Sequence, residues 1–483
     1  MAISDYEVVI GLEVHCQLDT ASKMFSACGY AIGAEANTRT DPYTWGLPGT
    51  LPVPNRRAVD HALRLALAMG CEVQAVSRWA RKHYFYPDLP KGYQITQADQ
   101  PYARGGSLEI PGKRIHLQRI HMEEDAGKNT HDASPEHSLV DYNRAGAPLV
   151  EIVSEPELRS AAEAADYMRE LRTLVRYLGI SEANMEEGTL RCDANVSLRR
   201  RDGDPDVLGV RCEIKNLNSF KFLEAAINAE IRRQTDLLDR GEAVVQSTLS
   251  YDPSRDRTKV MRSKEEAADY RYFPEPDMPP LRVDVDTLDR LRAELPELPG
   301  ARRRRLVGLG LSDYDAGVLC AERELADYFD GTLAALGQEH AKEVSNWISG
   351  EILRLLNSHR DEIARCPIDP AALAALIALV QSGAISRRTG KEVLDKAYDE
   401  GLSPAQIVER DGLRQVSDSG AIEAMVREVM DQNPAQVQQL RDGKDKVRGF
   451  FVGQVMRKSR GQANPQLVQE ALDKLLAELQ KPD

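Results

Sequence analysis

Four stretches of the chain alternate apolar and polar residues, and their polar residues repeat one chemistry. The first runs from Ile10 to Leu18, IGLEVHCQL. A β-strand sends successive side chains to opposite faces, so Glu13, His15 and Gln17 share one face while Leu12, Val14, Cys16 and Leu18 share the other. Arg119, His121, Glu123 and Asp125 share a face in the second stretch. Arg191, Asp193, Asn195 and Ser197 do so in the third, backed by Cys192, Ala194, Val196 and Leu198. The fourth sets Arg211, Glu213 and Lys215 against Val210, Cys212 and Ile214. One such strand alone is an ordinary solvated sheet face. Repetition with Glu, Asp, His, Asn, Arg and Lys is different, because clustered carboxylates repel one another more strongly as water is excluded. Cations must offset that repulsion, and a divalent metal with a phosphorylated ligand needs this set of groups.

At 483 residues the chain exceeds the size at which a single core keeps growing, so two or three domains are expected. The N-terminus, MAISDY, has neither a basic nor an apolar leader region, and no stretch of 18 uncharged apolar residues follows. Neither secretion nor membrane insertion is expected. Seven cysteines are scattered without a CxxC pair, and four lie on apolar faces of strands or helices. That pattern fits core thiols in a reducing, cytoplasmic compartment. The net charge of −13 argues against non-specific nucleic-acid affinity, but it is unevenly spread. Residues 443–460 carry Lys444, Lys446, Arg448, Arg457, Lys458 and Arg460 against Asp445 alone, and Arg302–Arg305 form a second basic run. Local patches decide where a phosphate backbone docks.

Residues 1–294 mix strands, long loops and a few helices. Pro42–Pro54 and Tyr84–Tyr93 are too rich in turn formers to be regular elements. Helices are expected at Arg56–Met69, at 159–178 with an apolar stripe of Ala165, Met168, Leu171, Leu174, Val175 and Leu178, and at Phe220–Arg240, capped by Asn218 or Ser219 and stopped at Gly241. From 295 nearly every segment has helical periodicity, which suggests a helical domain at 295–405 and a helical tail at 406–483. No P-loop, dinucleotide-binding glycine set or Ser-His-Asp arrangement is visible.

Several long words in fixed order resemble the B-subunit family of the tRNA-dependent amidotransferases that act on aspartyl/glutamyl-tRNA(Asn/Gln). They are Gly11–His15 (GLEVH) with Ser22–Phe25 (SKMF), Tyr84–Gln97 (YFYPDLPKGYQITQ), His121–Lys128 (HMEEDAGK) and Asp141–Ile152 (DYNRAGAPLVEI). Asn184–Ser197 (NMEEGTLRCDANVS), Glu213–Phe220 (EIKNLNSF) and Asp269–Asp277 (DYRYFPEPD) continue the likeness. Gly453–Met456 and Gly461–Pro465 carry it into the tail. The resemblance implies an α+β fold: a cradle-like mixed or antiparallel sheet domain with helices, then an all-helical domain and a helical tail of the YqeY type.

It also implies an activity. ATP phosphorylates the side-chain carboxylate of Glu-tRNA(Gln), Asp-tRNA(Asn) or both, and ammonia released from glutamine by a partner amidase displaces the phosphate. That amidase, a small third subunit, mischarged tRNA and a non-discriminating aminoacyl-tRNA synthetase are the implied partners. ATP and Mg²⁺ are the implied cofactors. His15, Glu124 and Glu151 are the expected metal ligands, because Mg²⁺ prefers oxygen donors and His15 stands in the motif the family places at its metal. Glu13, His15, Glu124, Asp193 and Lys215 are the expected catalytic set. Arg191, Asn195, Arg211, Glu213, Asn216 and Asn218 are expected to bind nucleotide or acyl phosphate, and the basic residues of 443–460 to bind tRNA.

Two departures stand out. Relatives with a structural zinc carry a CxC…CxxC set in the region of Phe25–Leu47, where this chain has only Cys28, so no zinc is expected. Gln246–Ser250 (QSTLS) stands where relatives commonly have Gln-Glu-Thr-Arg. A metal-dependent phosphohydrolase and a non-catalytic tRNA-binding scaffold are the competing classes. The Ser-cis-Ser-Lys machinery of an amidase is missing, so the chain is not expected to hydrolyse glutamine itself.

Overall fold

The structure, a computed structural model, describes residues 5–31, 33–97, 99–130, 137–204, 206–263, 270–414, 419–441, 444–459 and 463–479. The acid-rich stretches are strands of one sheet. The strands that matter for the site are β1 (Tyr6–Gln17), β2 (Ala80–His83), β3 (Tyr93–Thr96), β4 (Lys113–Glu124), β5 (Pro148–Ser154), β6 (Leu190–Arg200), β7 (Cys212–Leu217), β8 (Ser247–Asp252), β9 (Arg257–Ser263) and β10 (Phe273–Pro274). The large sheet runs β9-β8-β7-β6-β1-β5-β4 and continues through the short strands Ala103–Arg104 and Glu72–Val73, with Ser107–Ile110 also paired to β4. β1 is central and antiparallel to both neighbours. The β7–β8 pair is parallel, so the sheet is mixed. Strands β10, β2 and β3 form a separate three-stranded sheet.

Alternation along β1 and β6 divides the large sheet into two unlike faces. Leu12, Val14, Cys16, Cys192, Ala194 and Val196 are all fully or almost fully buried. Helices α1 (Arg56–Ala68), α2 (Ala161–Tyr177) and α3 (Phe220–Asp239) contribute to the same apolar core. Each helix ends where the chain supplies a local partner. The Asn55 and Ser160 side chains accept from the first-turn N–H groups of α1 and α2, and Ser219 does so for α3. Gly241 follows α3 with a φ of 75°, which a side chain would strain. With helices occupying one face, the polar face is left to carry the site.

From Ala301 a second compact unit begins, and its described elements are helices. One core joins Leu306 through Val408, built around Trp347, Phe329 and Leu376. A separate core joins Ile422 through Leu476 around Phe451 and Val455.

Two stability measurements check this account. Leu171, fully buried beneath the sheet, anchors α2. Leu171→Ala is expected to cost about 2–5 kcal/mol in urea unfolding, the usual range for a buried leucine. His61 on α1 is 2% exposed, and burial together with the adjacent Arg57 pushes its pKa down to about 4. The unfolded chain takes up that proton near pH ~6.5, so this contribution is complete above ~6.5 and declines as pH falls towards the folded value. His61→Gln is expected to flatten the dependence of the urea midpoint on pH over that window.

Candidate active site

Register brings the sequence motifs together. Arg191, His15, Glu151 and His121 lie side by side on β6, β1, β5 and β4, as one rung across four strands. Asp193, Glu13, Val153 and Arg119 form the next rung on the same face. Asn195 and Glu213 are paired beyond them. Glu13, His15, Glu151, Asp193, Asn195, Arg211, Glu213 and Lys215 line one cavity of about 590 Å³.

At its floor, His15 Nε2 lies 3.3 Å from Glu151 Oε2, and His121 Nε2 lies 3.4 Å from the same oxygen. His121 Nε2 also reaches Glu123 Oε1 at 3.1 Å. Thr96 Oγ1 and Gln94 Nε2 donate to the Glu123 carboxylate at 2.7 and 3.0 Å. On the next rung, Asn195 Nδ2 donates to Glu13 Oε1 at 3.0 Å, while Lys215 Nζ bridges Asp193 at 2.9 Å and Glu213 at 2.8 Å. Arg191 donates to the buried Asp125 at 2.7 Å, where Gln17 also donates.

Burial raises the cost of charge on these groups, yet their neighbours decide its sign. Burial opposes protonation of His121, but Glu151 and Glu123 outweigh it and raise the pKa to about 9. Burial likewise opposes ionisation of Glu123, whereas Lys82 and His121 hold its pKa down at about 2. Glu151 is held well below the ordinary range despite burial, through His121 and His15. Glu13 goes the other way, pushed up by burial and by the charges of Glu151 and Glu213.

His15, Glu123 and Glu151 present one ligand atom each within 4.8 Å of one another, the one group of this kind among the described residues. Opposite ligands of an octahedral Mg²⁺ lie about 4.2 Å apart, twice the ~2.1 Å bond, so small side-chain adjustments suffice. Around the same cavities, Nδ1 of His121, Nε of Arg119 and Nε of Arg191 are buried polar atoms without a partner among the described residues. The donor set fits a hard divalent cation with further ligand oxygens beside it.

Glu124 stands apart from this set. It follows Glu123 by one residue on β4, so its side chain leaves from the other face. Its carboxylate accepts from Ile95 N–H at 3.1 Å and pairs with the buried Lys91 ammonium, which also donates to Tyr43. The neighbouring Glu123 takes the position expected of Glu124. The alternation Arg119-His121-Glu123 carried that signal in the sequence.

Asn218 lies in a separate cavity of about 550 Å³ with Gln17, Tyr30, Arg144 and Arg191. Asn216 lines that cavity and a connecting one of about 350 Å³, which in turn shares His15, Glu123 and Lys215 with the acid-rich cavity. Lys82, Tyr270 and Tyr272 also line the main cavity. They belong to the small sheet and the segment joining it, so only folding brings them to the acids. Gln246, Ser247 and Thr248 form another wall, and Thr248 Oγ1 donates to Glu213 at 3.3 Å. The departure in that word therefore falls at the site.

Among the tail bases, Arg448 pairs with Asp445 and Asp473, and Lys458 with Glu428. Lys444, Lys446 and Arg457 show no ion pair among the described residues. Arg460 lies outside the described residues.

Fold and site together define a mixed-sheet catalytic cradle followed by helices. The model of the family described as GatB/GatE catalytic domain matches residues 8–289, and that of the GatB domain matches 327–476. The aspartyl/glutamyl-tRNA(Asn/Gln) amidotransferase B subunit of Anaeromyxobacter sp. (strain K) is 52% identical over 486 residues, covering 99% of this chain and 100% of the relative. The protein of the same name from Geobacter sp. (strain M21) is 52% identical, with 98% and 99% covered. That of Myxococcus xanthus (strain DK1622) is 50% identical, with 99% and 100% covered. The chain belongs to the family of aspartyl/glutamyl-tRNA(Asn/Gln) amidotransferase B subunits.

The two neighbouring glutamates are separable by experiment. Glu123→Gln or Glu151→Gln is expected to weaken Mn²⁺ binding, measured by calorimetry, by ~10-fold or more. Glu124→Ala is expected to leave Mn²⁺ affinity unchanged but to cost about 3–5 kcal/mol of stability, because Lys91 is left buried and unpaired.

Proposed function

We propose that the cradle carries out ATP-dependent amidation of the side-chain carboxylate of Glu-tRNA(Gln), Asp-tRNA(Asn) or both, as the B subunit of a glutamine-hydrolysing amidotransferase. A carboxylate is a poor acyl donor because oxide is a poor leaving group. Attack of a carboxylate oxygen on the γ-phosphorus of ATP releases ADP and leaves an acyl phosphate. Ammonia nitrogen then attacks the carbonyl carbon, phosphate departs, and a proton is lost from nitrogen. In this family the ammonia comes from glutamine at the partner amidase, and the complex is completed by a small third subunit.

The observation that carries this reading is the convergence of His15, Glu123 and Glu151 in a cavity that also holds Lys82, Lys215, Arg119 and Arg211. The acids would hold Mg²⁺, which when bound neutralises nucleotide oxygens. Lys82 and Arg119 stand on the same side as those acids, suited to bind phosphate oxygens. Lys215, fixed between Asp193 and Glu213, keeps its charge and holds two acids in place, so it positions the cradle wall. Arg211 is exposed at the cavity's edge, has no ion pair among the described residues, and is suited to meet an incoming anion. Positioning and charge stabilisation are the main requirements of phosphoryl transfer.

The assembled complex is expected to hydrolyse ATP only when charged tRNA is present, with one ADP formed per amide. ATP turnover that is indifferent to charged tRNA would instead identify a phosphohydrolase. For the tail, replacement of Lys444, Lys446 and Arg457 by Gln is expected to raise the KM for charged tRNA. The slope of log affinity against log salt should flatten by about one for each phosphate contact removed, as read by filter binding across a KCl series.

A further inference from the structure

Tyr270 and Tyr272 line the acid-rich cavity and Tyr84 lines the cavity connected to it, with Tyr86 beside Tyr84, and the chemistry derived above gives none of them a task. Tyr84 follows β2 and Tyr86 lies two residues beyond it. Tyr270 and Tyr272 precede β10 on the neighbouring strand of the small sheet. The backbone fixes this juxtaposition: His83 N–H donates to Tyr270 C=O at 2.9 Å, and Tyr84 N–H donates to Gly92 C=O at 2.9 Å. Lys82, Tyr84, Tyr270 and Tyr272 line the two connected cavities, while Arg81 and His83 lie against Phe273, with His83 stacked on it at 4.9 Å. Lys82 Nζ lies 4.9 Å from the centre of the Tyr270 ring. Tyr270 and Tyr272 line the same cavity as His15, Glu123 and Glu151, and Tyr84 and Tyr270 line the cavity connected to it.

Within each pair the rings do not cover one another. Tyr84 and Tyr86 have centroids 5.8 Å apart at 38°, and Tyr270 and Tyr272 are 6.0 Å apart at 65°. Tyr272, which lines the acid-rich cavity, is 46% exposed, so part of its ring surface is accessible there. An exposed ring that lines a polar cavity offers a flat apolar face to a ligand entering it.

We propose that the tyrosines of these two cavities seat the unpaired 3′ end of the substrate RNA by stacking on its terminal bases. The inference rests on the proposed function and adds the contact that delivers the substrate. If the reacting carboxylate lies at the acid cluster, only the short amino-acid chain, an ester and one ribose separate it from the terminal base. That base must therefore lie near the cavity mouth, within reach of the exposed ring of Tyr272 and of Tyr84 in the connected cavity. Every base offers a π face, and stacking on an aromatic ring is tolerant of sequence. Lys82, beside the Tyr270 ring, adds positive charge on the path from the mouth to the acids. Such a contact positions the substrate without itself reacting.

The test uses the three-subunit enzyme with Tyr84 and Tyr272 each replaced by Ala, by Leu and by Phe, and a tRNA carrying 2-aminopurine as its 3′-terminal base. Wild type and the Phe variants are expected to quench 2-aminopurine fluorescence on binding. The Ala variants, and the Leu variants that keep bulk without a π face, should not quench it. KM for charged tRNA should rise at least ~5-fold in the Ala and Leu variants, the lower end expected for one lost stack. The tRNA-independent glutaminase rate and co-elution of the three subunits should be unchanged. Equal quenching and equal KM in all variants would overturn the proposal. Loss of co-elution with normal quenching would overturn it too, and would assign the tyrosines to a protein interface. Failure of the wild-type complex to amidate charged tRNA would refute the underlying function, a result distinct from either.

Discussion

Strand β1 holds the molecule's two chemistries apart. It is paired along its length with β6 on one side and with β5 over Glu13–Gln17 on the other, and every second side chain enters the core. A slip of one residue in either pairing would exchange the two faces, carrying His15 and Glu13 under the helices and Val14 and Cys16 into the cavity. Burial of Leu12, Val14, Cys16, Cys192, Ala194 and Val196 against α2 and α3 therefore determines the register. The register in turn aligns Arg191, His15, Glu151 and His121. The apolar side of the sheet builds the polar side.

That alignment is electrostatically demanding, and the site meets the demand by alternating sign. Glu151 lies between His15 and His121, Glu123 accepts from Thr96 and Gln94 and faces Lys82, and Asp193 shares Lys215 with Glu213. Glu123 and Glu151 remain ionised where water is scarce because a cation or a donor is fixed beside each. Removing one partner from such a network costs more than the pair contributes, since the survivor stays buried. The same logic explains Glu124 and Lys91 on the opposite side of β4. They form a buried pair that ties the small sheet to the large one, with Ile95 N–H completing it. Neighbouring glutamates thus serve different ends because a strand turns them to opposite faces.

The small sheet completes the cavity in a way the large sheet cannot. A single sheet face is open to water. Strands β2 and β3 and the segment leading into β10 bring Lys82, Thr96, Tyr270 and Tyr272 to the cavity that holds the acids. Glu275 in the same segment accepts two hydrogen bonds from Arg81, at 2.7 and 2.9 Å, and so fixes the strand that carries Lys82. Rigid support of this kind places charges within the tolerance that phosphoryl transfer requires.

Much of this was legible in the residues alone. Period-two alternation marked β1, β6 and the site face of β4. The helical stripe at 159–178 is α2 at Ala161–Tyr177, and the words shared with amidotransferase B subunits identify the family without any geometry. Strand alternation and helical periodicity are local, so a sequence determines them directly. The expectation chose Glu124 although the alternation put Glu123 on the face of His121, and the placement of Lys91 shows that Glu124 is neutralised elsewhere. The sequence did not bring Lys82 or Tyr272 to the site, since each reaches the acids across a separate sheet. Neither could it tell which basic tail residues are satisfied by Glu428 and Asp473. Those outcomes depend on contacts between residues far apart in the chain, and only tertiary packing decides them.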